Sequence, residues 1–180
     1  MLDNLAMTTT QTAVLAHWNE LDAESAAREI LPCCASRDWA NFLAARRPFS
    51  DAQQLLEASD QVWTALAEPA WCEAFDSHPR IGQQHARAAT AESLAWSSEE
   101  QSSAMSDEDA IKLALAEGNR QYEERFGRIF IVCASGKSAA EILAILNTRL
   151  QNDAAAEMLE AAEQQRQITQ LRLRRWLGVN

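Results

Sequence analysis

Glycine and proline are scarce in this chain, five and four among 180 residues, and histidine is scarcer still at three. Sheets need tight turns and tight turns draw on Gly and Pro, so this supply starves a β fold, while abundant alanine favours helices. No run of eighteen apolar residues occurs, which excludes a single-pass membrane helix. The opening MLDNLAMTTTQTA lacks the basic-then-apolar order of a secretion signal, and residues 1–10 are expected to form a flexible N-terminus. Basic residues number 16 against 26 acidic ones, a formal charge of -10 that repels nucleic acid and anionic membranes. The four cysteines, Cys33, Cys34, Cys72 and Cys133, contain no CxxC pair. Adjacent Cys33 and Cys34 make a poor disulfide framework, so reduced, packed thiols and a cytoplasmic setting are expected, with no zinc site.

The apolar share is 47%, and 180 residues suffice for one core burying about two-thirds of the unfolded surface. The expected fold is all-α, a single compact multi-helix domain over residues 1–180. Val14, Leu15, Trp18, Leu21 and Ala26 recur at helical spacing and predict one helix from Gln11 to Ile30, stopping before Pro32. A short helix follows through Trp39 to Ala45. Ser50 with Gln53 has capping-box spacing ahead of Leu55, Leu56, Ala58, Val62, Trp63 and Leu66, a helix that Pro69 ends, and a short AWCEAF helix comes next. Ser106 with Asp109 opens a helix through Ile111, Leu115, Tyr122 and Phe126 that Gly127 stops. IFIVCAS, Ile129 to Ser135, reads equally as a strand or a buried extended loop. Ser138 and Glu141 form a further capping box, and the last helix covers about Ala154 to Leu177, stopped by Gly178. The six tryptophans, Trp18, Trp39, Trp63, Trp71, Trp96 and Trp176, are expected to pack a core.

Candidate chemistry gathers at a few places. In FDSHPRIG, His78 precedes Pro79, so its backbone is pushed out of the α region and its side chain is presented from a turn. Such a histidine can act as acid or base, or can merely bond a local carbonyl; Asp76 could orient it or form the turn. His17 and His85 read as bystanders. In WSSEEQSSA, Ser97, Glu100 and Gln101 sit where a helix N-terminus would offer free N–H groups to a polar ring, although the same spacing also describes an ordinary cap. In QLRLRRWLG, Arg174 and Arg175 suit a solvated face, while Arg172 lies between Leu171 and Leu173 and could grip a carboxylate from a buried stem. GKS at Gly136–Ser138 is no phosphate loop, because Ile131 stands where the earlier glycine belongs.

Taken together, LPCCASRDWA, RPF, AFDSHPRIG, S-x-x-E-Q, YEERFGRIFIVCASGKSAAEIL and the closing LRL resemble the OHCU decarboxylases of purine degradation, from about Trp18 to Leu177. These enzymes convert 2-oxo-4-hydroxy-4-carboxy-5-ureidoimidazoline (OHCU) to S-allantoin. The resemblance implies an all-helical fold, commonly a homodimer, a small-molecule substrate, and no metal or organic cofactor. It implies His78 and Glu100 as the catalytic pair, and Pro79, Ser97, Gln101, Ile131, Val132, Cys133, Ala134, Ser135 and Arg172 as substrate contacts, with Arg174 the alternative to Arg172. Relatives with HPDLAG in place of HPRIGQ give Arg80 no role. The chemistry suits such side chains: loss of CO2 leaves an enolate-like anion held by the ring, so the protein supplies orientation, donors and one proton to one face. A cofactor-free hydrolase of a cyclic ureide, or a helical interaction module displaying the tryptophans, are the competing readings.

Overall fold

In the computed structural model, residues 13–80 and 109–179 are described, and they form helices and connecting loops with no strand among them. Helix α1 covers 13–20, α2 Ala23–Ile30, α3 Arg37–Ala44, α4 Ala52–Ala65, α5 Glu68–Asp76, α6 Asp109–Phe126, α7 Ala139–Arg149 and α8 Ala154–Leu177, with a 3-10 turn at Leu31–Cys33. The all-α expectation holds.

Three local expectations change, each for a short-range reason, and one open alternative is decided. The single helix from Gln11 to Ile30 is two helices, because Asp22 takes an extended backbone and its carboxylate accepts the Ser25 N–H at 2.9 Å, capping a new start. The cap of α4 is Asp51 rather than Ser50: Asp51 accepts the Gln54 N–H at 2.9 Å, and the Ser50 N–H donates to the Gln54 side chain at 2.7 Å. A charged carboxylate answers the positive helix end better than a hydroxyl does. Pro69 does not end α4, which stops at Ala65; it lies in the first turn of α5, where a missing N–H would have had no helical partner. The stretch 129–134 is neither strand nor helix, and Phe130 through Ala134 are buried, so of the two alternatives it is the buried loop.

Other signals read as expected. Ser138 and Glu141 form the reciprocal capping box of α7, and Gly127 and Gly178 end α6 and α8 in left-handed backbone at φ 69° and 71°. Gly118, inside α6, is there for closeness rather than for a turn. A Cβ at this position would lie 2.6 Å from Leu146 Cδ2 on α7, so its bare backbone permits the approach of the two helices.

The chain divides into two compact units, one drawn from Met1–Glu73 with Arg166–Asn180, the other from Ala74–Gln165. In the first, Trp18 stacks on Phe49 and meets Trp176 edge-on, with centroids 6.0 and 5.7 Å apart. The Arg47 guanidinium lies 5.1 Å over the Trp18 ring and donates to the Trp18 and Leu21 carbonyls, tying off the end of α1. Trp39 and Trp63 are buried as well, which places these tryptophans in a core; Trp96 lies outside the described residues. In the second unit Tyr122, Phe130, Val132, Ile142 and Leu146 form a cluster joined by Leu115 and Ala139.

Candidate active site

Helix α5 ends at Asp76, and the two residues after it carry the histidine. The Ser77 and His78 N–H groups close turns onto Ala74 and Phe75, and Pro79 prevents the helix from continuing, so the imidazole leaves the chain at a bend. His78 is only 8% exposed, and Pro79 is buried beside it. The partner that faces the ring is Gln165 of α8, whose Oε1 lies 2.7 Å from Nε2. An amide oxygen only accepts, so Nε2 carries the proton in this contact. Asp76, weighed as an orienting group, is exposed at the helix end. His17 is exposed on α1, and His85 lies outside the described residues.

Arg80 closes the bend from its other side. Its Nε and Nη2 donate to the two carboxylate oxygens of Glu123 on α6, the Nη2 contact being 2.5 Å, a fork-to-fork pair with both ends partly shielded from water. The turn that presents His78 is thus anchored at both of its ends.

The segment 131–135 lies in the same compact unit. Ile131, Val132, Cys133 and Ala134 are buried and Ser135 is exposed. With no neighbouring strand, its backbone is held by side chains: Arg149 Nη1 donates to the Ile131 carbonyl at 2.6 Å, Lys137 Nζ to the Cys133 carbonyl at 2.8 Å, and Gln164 Oε1 accepts the Cys133 N–H at 2.9 Å. Arg149 is itself fixed by Glu157, whose Oε1 accepts from its Nε at 2.9 Å and its Nη2 at 2.5 Å, while the Tyr122 hydroxyl and, at 2.8 Å, Asn152 donate to the same carboxylate. Burial, then the bond to Glu157, push the Tyr122 phenol well above its ordinary range. A buried ion pair adds little to stability over well-packed apolar residues, but it specifies one geometry, here that of the Ile131 carbonyl.

Arg172 belongs to the other compact unit and is fully buried there, whereas Arg174 is half-buried and donates to the Gln170 carbonyl at 3.2 Å. Burial pushes the nearby Cys34 thiol up to about 12, opposed by a hydrogen bond from Thr169, by the Ser36 backbone and by the charge of Arg172. Ser97, Glu100 and Gln101 lie outside the described residues. Among the described residues no group of three or more His, Cys, Asp or Glu side chains could hold a metal ion.

Gln164, Gln165, Arg149 and the Arg80–Glu123 pair carry no motif, and sequence reading missed them. Gln165 had one available signal: by helical spacing it shares a face with Ala161, Ile168 and Arg172, a polar amide on a face otherwise rich in buried residues. Gln164 and Arg149 had none for the segment 131–133, because the atoms they hold there are backbone groups 31 and 18 residues away.

The described residues thus bring a buried imidazole facing a neutral amide into the same all-helical unit as a loop tied down by side chains. Comparison with known proteins makes this specific. The chain matches the OHCU decarboxylase family over residues 19–174 and belongs to that family, whose members are carboxy-lyases. It is 35% identical over 142 residues to the uric acid degradation bifunctional protein TTL of Arabidopsis thaliana, covering 78% of this chain but only 44% of the plant protein's length. It is 30% identical over 147 residues to the 2-oxo-4-hydroxy-4-carboxy-5-ureidoimidazoline decarboxylase of Amia calva, covering 81% and 80%. A solved structure of OHCU decarboxylase in the presence of (S)-allantoin superposes with a TM-score of 0.71 at 32% identity, over 82% of this chain and 95% of that one. A structure of (S)-allantoin synthase, at 17% identity and TM-score 0.67 over 92% and 53%, shares the fold.

Proposed function

We propose that this chain decarboxylates OHCU to (S)-allantoin and that His78 handles the proton of that reaction. The observation that carries the reading is the buried His78 imidazole at a Pro-terminated bend, 2.7 Å from Gln165, in a chain of the decarboxylase family. In the substrate, carboxyl and hydroxyl share one ring carbon and the ureido group sits on the next. The bond to the carboxyl carbon breaks and CO2 leaves, its electron pair passing into the ring. The hydroxyl loses its proton to become the ring carbonyl, the ring nitrogen double-bonded to the ureido-bearing carbon takes up the pair and a proton, and one further proton is added to that carbon, a net gain of one proton from solvent that turns the carboxylate substrate into neutral allantoin. No external oxidant or reductant is needed. The protein has to hold the ring, stabilise the transient anion and deliver that proton to one face.

His78 and Glu100 are the pair assigned to these proton movements. Peptide groups of 131–135, with Pro79, Ser97, Gln101 and Arg172, are assigned to the ring and its substituents. Glu100, Ser97, Gln101 and Arg172 rest on the family resemblance; the segment 131–134 has the further support that side chains pin its backbone. Four cysteines without a CxxC pair support a reducing, cytoplasmic setting, and the resemblance supports a homodimer, which sedimentation would check. No described helix is long and apolar enough to cross a membrane.

The test is incubation of wild type and His78→Ala with freshly generated OHCU while CO2 release and optical rotation are followed. The substitution is expected to lower turnover about 10²- to 10⁴-fold while leaving binding of (S)-allantoin near wild type. Optically pure allantoin formed at an unchanged rate would refute the role of His78. A ring-opened acid without CO2 would mark a hydrolase instead.

A further inference from the structure

We propose that Gln164 is a positioning residue for the handedness of the product, one half of a two-residue frame completed by Gln165. Neighbouring residues on a helix project about 100° apart, so two adjacent glutamines seldom serve one purpose. Here they do. Gln165 Oε1 lies 2.7 Å from His78 Nε2, and Gln164 Oε1 accepts the Cys133 N–H at 2.9 Å. One peptide unit of α8 thus sets the spacing between the imidazole and the segment 131–134. Gln164 is aimed from its other end as well: its Nε2 donates to Glu160 Oε1 at 2.9 Å, one turn back, which turns the amide oxygen toward Cys133. The anchored positions, Ile131 and Cys133, are two residues apart, the spacing that in non-helical, extended backbone puts peptide groups on one edge and those of Val132 on the other.

The inference rests on the reading that this segment receives the substrate ring. A proton reaches a single face only while donor and ring plane keep a fixed relation, so loosening one side of the frame scrambles handedness before it stops bond breaking. Gln164→Leu removes the acceptor of the Cys133 N–H without touching any group assigned to the proton. It is expected to give allantoin of reduced optical purity and about a tenfold lower kcat/KM, carried mainly by KM. The exchange Glu160→Gln with Gln164→Glu keeps both contacts, the Cys133 N–H still donating to residue 164 and only the pair 160–164 exchanging donor and acceptor, and is expected to restore purity. A purely structural role would move the melting temperature of Gln164→Leu but not the handedness of its product. The companion measurement titrates wild-type protein with (S)-allantoin and follows the backbone amide signals of residues 131–134 by NMR. If those signals shift and Gln164→Leu still makes allantoin as pure as wild type, the frame is refuted; if they do not shift, the reading of the segment as the ring site is refuted instead.

Discussion

Replacing Gln165 with leucine removes the acceptor facing His78 Nε2, one of the contacts that orient the imidazole. Turnover of Gln165→Leu is expected to fall about 10- to 100-fold, since a misplacement of about 1 Å at a reacting group costs on that order. Stopped-flow assay on fresh substrate checks it, and wild-type turnover would show that the amide is a bystander. Tyr122 offers a second residue-scale test because it is the chain's only tyrosine. Burial and the bond to Glu157 raise its ionisation, so the unfolded chain loses the phenol proton near pH 10 while the folded chain keeps it. Its contribution to stability is therefore full below about pH 10 and falls as pH rises beyond that. Near-ultraviolet absorption should show no phenolate in the native protein at that pH, and phenolate on unfolding.

At the scale of elements, Gly118→Ala sets two effects against each other. Alanine favours the helix by about 1 kcal/mol, but its Cβ would fall 2.6 Å from Leu146 Cδ2, and Leu146 is fully buried with little room to yield. Overpacking typically costs about 1–3 kcal/mol, so net destabilisation is expected in thermal melts, relieved when Leu146→Ala is added. Ser138→Ala loses the α7 cap, at about 1 kcal/mol. Helix existence was legible because apolar spacing and caps are local: the box at Ser138 and the bounds of α8 were read directly. Starts failed where two polar residues competed over one turn, as Ser50 did with Asp51, and where Asp22 interrupted a periodic run, because a cap is decided by which side chain reaches the N–H groups.

For the whole molecule, the cysteines report on folding. Cys33, Cys34 and Cys133 are buried and Cys72 is half-buried, and the Cys34 thiol is pushed up to about 12. A thiol reagent at neutral pH should label one cysteine quickly in the native protein and all four in denaturant; four fast thiols would mean that these cores open readily. Fold class, charge and the bend that presents His78 were readable in residue order because composition, helical period and the His-Pro step act over a few neighbours. The acceptor at His78, the Arg80–Glu123 fork, and the ties from Gln164, Arg149 and Lys137 to the backbone of 131–133 came only with the folded chain. Most of these contacts join residues 18 to 87 positions apart, and those to 131–133 end on a backbone carbonyl or N–H that almost every residue type possesses, so no local pattern of letters distinguishes them.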